Sequence, residues 1–189
     1  MFDLIPTTQC HTAMPCLGAS VVTIGAFDGV HAGHQQLITG TVRRAQELGV
    51  ASVVCTFDPP PKVFFGRAAQ LCPLEVKLAR LTSLGSDHLV VLPFDETLRG
   101  LSAQAFMDCL ARLRPLEIRV GGDFRFGRKQ AGDVGLLATR FDVHLQTPVR
   151  CAAGEVVSST RIRGLRAAGD NAAAETLLRP MSAPREVRA

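Results

Sequence analysis

Apolar residues along this chain come in short dense blocks separated by longer amphipathic stretches. Residues 19–24 (ASVVTI), 51–56 (ASVVCT), 88–92 (HLVVL), 116–120 (LEIRV) and 141–145 (FDVHL) are such blocks, rich in valine, isoleucine and leucine. The most apolar of them lack the strict alternation of a half-wet strand, which fits strands covered on both faces. Between the blocks the spacing becomes helical. Residues 31–48 predict a helix closed by Gly49, and residues 73–84 a second with Gly85 beyond its end. Ser102 caps a helix running to Arg112, and shorter helices are expected at 133–139, 160–168 and 171–178. Strands alternating with helices predict an α/β fold: a Rossmann-like, doubly wound parallel sheet forming a single domain over residues 1–180. Residues 181–189 are left as a C-terminal tail, poor in apolar residues and expected to fray. Sheets of this kind bind ligands beyond the C-terminal ends of their strands, so chemistry is expected in the loops that follow them.

Composition narrows the function classes. Hydrophobic residues make up 47% and charged residues 20% of the 189, ordinary globular values that exclude wholesale disorder. No apolar run approaches the ~18 residues of a membrane span. The N-terminal MFDLIPTTQC carries Asp3 and lacks a basic segment followed by an apolar core, so no secretory signal is expected. Six scattered cysteines (Cys10, Cys16, Cys55, Cys72, Cys109 and Cys151) form no CxxC pair and are read as reduced thiols, which points to a cytoplasmic protein. The net charge of +4 suits an anionic ligand. With no block of basic residues and neither Trp nor Tyr, a nucleic-acid surface is not expected.

Four loops carry candidate chemistry. The first, Gly25-Ala26-Phe27-Asp28-Gly29-Val30-His31-Ala32-Gly33-His34, leaves a strand and opens a helix. Glycines let backbone approach a ligand, and a helix N-terminus attracts phosphate. His31 and His34, three apart, share a helix face and can donate to a polyphosphate as charge builds on it. Two other readings stay open: a tight turn with surface histidines, or a metal site built on Asp28, His31 and His34. The loop is not GxGxxG, so a nicotinamide or flavin dinucleotide fingerprint is absent.

The second loop, Gly121 to Lys129, lacks the Lys-Ser/Thr of a P-loop. Phe124 and Phe126 flanking Arg125 suggest instead a lid over a flat ring, or simply an exposed basic loop. The third segment, Ser158-Ser159-Thr160-Arg161-Ile162-Arg163, caps a helix and directs arginines back to its start, a second anion cradle or an ordinary capped helix. The fourth, Thr56-Phe57-Asp58 followed by three prolines, ends a strand in a stiff wall where Asp58 could hold a metal or a ligand hydroxyl.

In this order the segments resemble the adenylyltransferase module of bacterial FAD synthetases, within the HxGH nucleotidyltransferase superfamily. The matching stretches are TIGAFDGVHAGH, TFDPPPKVFF, VLPFDETLRGLSAQAF, VGGDFRFGRKQAGD and VSSTRIRGLRAAGD, from Ser20 to Pro180. The resemblance implies Mg²⁺-dependent transfer of AMP from ATP to FMN, giving FAD and pyrophosphate. It assigns catalysis to His31, His34 and Arg163, and ATP binding to Gly25, Ala26, Phe27, Gly33, Ser158, Ser159 and Thr160. It assigns the flavin side to Phe57, Asp58, Asp123, Phe124, Arg125 and Phe126, with no resident metal. Ala26 stands where the family usually has Asn, and Pro60 where it usually has His, which leaves two alternatives: a nucleotide- or flavin-binding paralogue without turnover, or a transferase for another phosphate acceptor. The family's riboflavin kinase domain has no counterpart after Pro180, so a separate riboflavin kinase is expected to supply FMN.

Overall fold

A computed structural model describes residues 14–179; the expected tail at 181–189, the N-terminal segment and Cys10 lie outside them. Five strands form one sheet: β1 (Ser20–Gly25), β2 (Ala51–Asp58), β3 (His88–Pro93), β4 (Pro115–Gly121) and β5 (Val143–Gln146). All neighbours pair in parallel in the order β3-β2-β1-β4-β5. The fold is therefore α/β and Rossmann-like, as the alternation predicts. The chain moves outward from β1 to β3, then returns to the other side of β1, so the switch point falls between β1 and β4.

Period-two alternation sorts the strand side chains between two layers. On β2, Val53, Cys55 and Phe57 belong to one core, which receives Phe106, Met107 and Leu110 from α5 (Ala103–Ala111). Val54 points into a second core with Leu37 and Ile38 of α1 (Ala32–Leu48) and Leu81 of α3 (Leu74–Thr82). A third, smaller core joins Leu71 to α7 (Ser159–Ala167) and α8 (Asn171–Leu178) through Ile162, Ala174 and Leu178.

The expected punctuation is present. Gly49 ends α1 with φ 66°, and Ser102 caps α5 by accepting from the Ala105 amide; α6 (Val134–Ala138) adds an unread cap, Asp133 accepting from the Leu136 amide. Several boundaries shift from expectation, two of them for a visible reason. β2 runs through Asp58, because Phe94 N donates to the Asp58 carbonyl and prolongs pairing with β3. β5 starts at Val143, because Phe141 N donates to Leu137 and stays with the preceding turn. Two short helices went unread, α2 (Pro61–Phe64) and α4 (Glu96–Gly100). Each is about one turn, too short to show a periodicity.

Candidate active site at the switch point

The loop after β1 is strained, and the strain has visible causes. Phe27 (φ 45°) and Val30 (φ 50°) both adopt left-handed backbone, which is unfavourable for non-glycine residues and most of all for a β-branched one. Phe27 is held there by burial at 1% exposure. A Cβ on Gly25 would lie 2.8 Å from the Phe27 ring, so glycine is needed at the strand end. The Thr56 hydroxyl donates to the Ala26 carbonyl at 3.1 Å and ties the loop to β2.

His31 occupies the N-cap position of α1 with extended backbone, and no side chain caps that helix. His31 and His34 stack face to face with ring centroids 3.6 Å apart, and His34 meets the Phe27 ring edge-on at 5.2 Å. A Cβ on Gly33 would come within 3.3 Å of the His31 ring. The Nδ1 atoms of both histidines are buried without a hydrogen-bond partner. Burial pushes the His31 pKa down to about 4 and takes that of His34 well below the ordinary value, with the neighbouring His31 lowering it further. Two neutral imidazoles with unused nitrogens thus meet the positive end of a 17-residue helix, an arrangement suited to phosphate oxygens.

The segment 158–163 closes on this loop. Ser158 caps α7 by accepting from the Arg161 amide, and the Ser159 hydroxyl donates to the Asp28 carbonyl at 3.1 Å. Arg163 pairs with the buried Asp28 carboxylate and donates through Nε to the Ala69 carbonyl at 2.8 Å. Asp28 also accepts from the Leu71 amide at 3.0 Å. Two more arginines complete the strap, Arg80 to the Gly29 carbonyl and Arg166 to the Leu71 carbonyl. The metal reading of Asp28, His31 and His34 meets an obstacle in that Asp28 is committed to Arg163 and Leu71; no group of three or more candidate ligands occurs among the described residues. Of the two arginines expected to aim at an anion, Arg161 instead pairs with Glu155 and Cys151.

The acceptor side departs further from expectation. The ring of Phe126 is not a lid. It is 5% exposed and packs on Phe106, with its backbone bridged to Gly132, where any Cβ would collide with it. Phe124 stacks on Phe126 at 5.6 Å, partly buried against the same core. Phe57 is likewise in the core, edge-on to Phe94. Arg125 is exposed and pairs with Asp133, and Asp123 is exposed. Asp58 sits half-buried at the end of β2. A cavity of about 330 Å³ opens beside these elements, lined by Pro61, Lys62, Phe65 and Arg67 and, from α7, by Thr160 and Arg163. Its lining leaves out the histidine pair, and Arg163, bound to Asp28, connects the two.

Sequence reading missed Lys62, Phe65 and Arg67 on this wall, and Lys77 and Arg80 behind it. A signal existed for Lys77: it lies on the apolar face of its helix, between Leu74 and Leu81.

Known proteins resemble this chain over most of its length. The FAD synthetase family matches residues 14–161. A protein of Geobacillus thermodenitrificans named "Putative bifunctional riboflavin kinase/FMN adenylyltransferase" is 48% identical, over 82% of this chain and 86% of its own. The bifunctional riboflavin kinase/FMN adenylyltransferase of Pseudomonas fluorescens is 38% identical, over 89% of this chain and 57% of its own. That of Escherichia coli K12 is 37% identical, over 84% and 53%. The chain thus spans little more than half the length of these last two relatives. A solved structure from Streptococcus pneumoniae, titled a macrolide-efflux protein, superposes with a TM-score of 0.79 at 27% identity, over 90% of this chain and 60% of that one.

Proposed function

The chain belongs to the FAD synthetase family, and from that premise we propose that it transfers the adenylyl group of ATP to FMN. A phosphate oxygen of FMN attacks the α-phosphorus, the bond from that phosphorus to the β-phosphate bridge breaks, and pyrophosphate leaves. The observation that carries the reading is the pair of phosphate cradles fastened to each other: His31 and His34 at the start of α1, strapped through Asp28 to Ser159 and Arg163 of α7.

Catalysis in this reading is positioning plus electrostatics, with no covalent enzyme intermediate. The neutral histidines donate N–H to the triphosphate and bind it more strongly as charge moves onto the leaving pyrophosphate. Gly25, Ala26, Phe27 and Gly33 bring backbone close to the nucleotide, and Thr160, exposed on the cavity wall, offers a hydroxyl to the same phosphates. Arg163 holds the two cradles together while adding positive charge. Asp58, Asp123, Phe124 and Arg125 remain the acceptor-side candidates, with Phe57 and Phe126 supporting them from the core.

Mg²⁺ neutralises phosphate charge when bound, and the side chains present fit an ion carried on the nucleotide, since Asp28 is already paired. FMN is then the acceptor, made by a riboflavin kinase outside the described residues, and the setting is the cytoplasm. Among the described residues no helix is long and apolar enough to cross a membrane.

Incubation with ATP, Mg²⁺ and a panel of acceptors (FMN, riboflavin and other phosphomonoesters), followed by chromatography, tests this. FAD formed from FMN alone is the expected result. Pyrophosphate released only with another acceptor would transfer the reading to that acceptor, and release with none would reduce the site to a binding module.

A further inference from the structure

Lysine is almost never fully buried unless its charge is matched. Lys77 of α3 is fully buried. Its Nζ donates to the Phe57 carbonyl at 2.6 Å and lies 3.6 Å from Asp58 Oδ1. Phe57 and Asp58 are the last two residues of β2, and the chain passes from them into Pro61 and Lys62 on the cavity wall. Burial lowers the Lys77 pKa, while Asp58 and then Asp28 oppose that shift. Leu81, one turn on, is fully buried in the second core, so an apolar side chain would suit this helix face. Replacing buried ionic groups by apolar ones of similar volume is often neutral or stabilising. Packing therefore gives no reason for an ammonium here, whereas the placement of Asp58 does.

We propose that Lys77 is a positioning residue for the acceptor side of the site: it fixes the Phe57 carbonyl and the Asp58 carboxylate at the end of β2, so that Asp58 presents its second oxygen to a ribityl hydroxyl of FMN. The proposal rests on the adenylyltransferase reading, because it takes the β2 end as the acceptor wall. It assigns Lys77 an effect on the acceptor and none on the nucleotide, which is gripped by α1 and α7.

Binding measurements separate this from a purely structural role. FMN is titrated by quenching of its fluorescence and ATP by calorimetry, on the wild type, Lys77→Met, Asp58→Asn and the double variant, each checked for a cooperative melt. Lys77→Met is expected to bind ATP within about twofold of wild type and FMN about tenfold more weakly. The double variant is expected to be no worse than Lys77→Met, since the two residues act as one unit. FMN affinity within twofold of wild type, equal losses for both ligands, or additive losses in the double variant would overturn the proposal. If Lys77→Met does not fold, Asp58→Asn decides, because it leaves the core lysine in place: unchanged FMN affinity overturns the proposal, and a tenfold loss with ATP unaffected supports it. Wild type that binds no FMN would overturn the adenylyltransferase reading along with this one. Wild type that binds FMN beside unaffected variants overturns this one alone.

Discussion

His31 and His34 are neutral at pH 7 because the fold denies them water, and this has a consequence for stability. The pKa of His31 is about 4 in the folded chain against 6.5 as its ordinary value. Between those values the unfolded chain binds the proton and the folded chain does not, so stability is complete above pH 6.5 and falls as the pH is lowered towards 4. The span of 2.5 units corresponds to about 3 kcal/mol. Denaturant titrations at pH 7 and pH 4.5 should show a loss of at least this order in the wild type, because buried His34 adds to it, and a smaller loss in His31→Gln, where His34 alone remains. Asp28 is the other decisive side chain. Its carboxylate, 3% exposed, holds Arg163 and the Leu71 amide. Asp28→Asn leaves Arg163 without its anion, and breaking a buried pair from one side costs about 3 kcal/mol. A lower melting temperature with a weaker grip on ATP is expected, the first read by calorimetry and the second by titration.

At the scale of elements, the site is made by connections between helices and loops that are far apart in sequence. Gly29 shows how tightly they fit: its φ is 81°, and a Cβ there would lie 2.8 Å from Leu178 of α8 and 3.1 Å from Leu71. Gly29→Ala should therefore destabilise the chain by about 1–3 kcal/mol and loosen α8 first, a change visible as faster amide exchange in residues 171–178. The five strands, the main helices and several of their ends were legible in the sequence because they depend on local spacing and on single residues such as Gly49 and Ser102. The first loop stood out as a candidate phosphate site because its glycines and histidines are adjacent in sequence. What was not legible depends on contacts that local spacing does not specify. Asp28 read equally well as a metal ligand until Arg163 and Leu71 claimed it. Phe126 read as a lid until Phe106 and Gly132 drew it into the core. Lys77 carried a sequence signal, a charge on an apolar helix face, that spacing alone could not interpret.

On the scale of the whole molecule, topology decides where these parts meet. Because β1 lies between β2 and β4, the loop after β1 turns one way into α1 while the loop after β4 turns the other, and the crevice between them receives α7 from the end of the chain. The donor set predicts no resident transition metal. Metal analysis after dialysis should find no stoichiometric zinc, and Mg²⁺ should bind measurably only with nucleotide present; tightly held zinc would restore the Asp28, His31 and His34 cluster as a metal centre. The central claim, that the histidine pair at the start of α1 drives adenylyl transfer to FMN, is tested most directly by comparing wild type with His34→Ala under saturating ATP, Mg²⁺ and FMN. Wild type should form FAD and pyrophosphate in equal amounts, and His34→Ala should lose about 30- to 1,000-fold in kcat, the equivalent of about 2–4 kcal/mol, while its ATP affinity changes far less. Near-normal turnover by His34→Ala, or a loss of ATP binding that accounts for the whole defect, would contradict it.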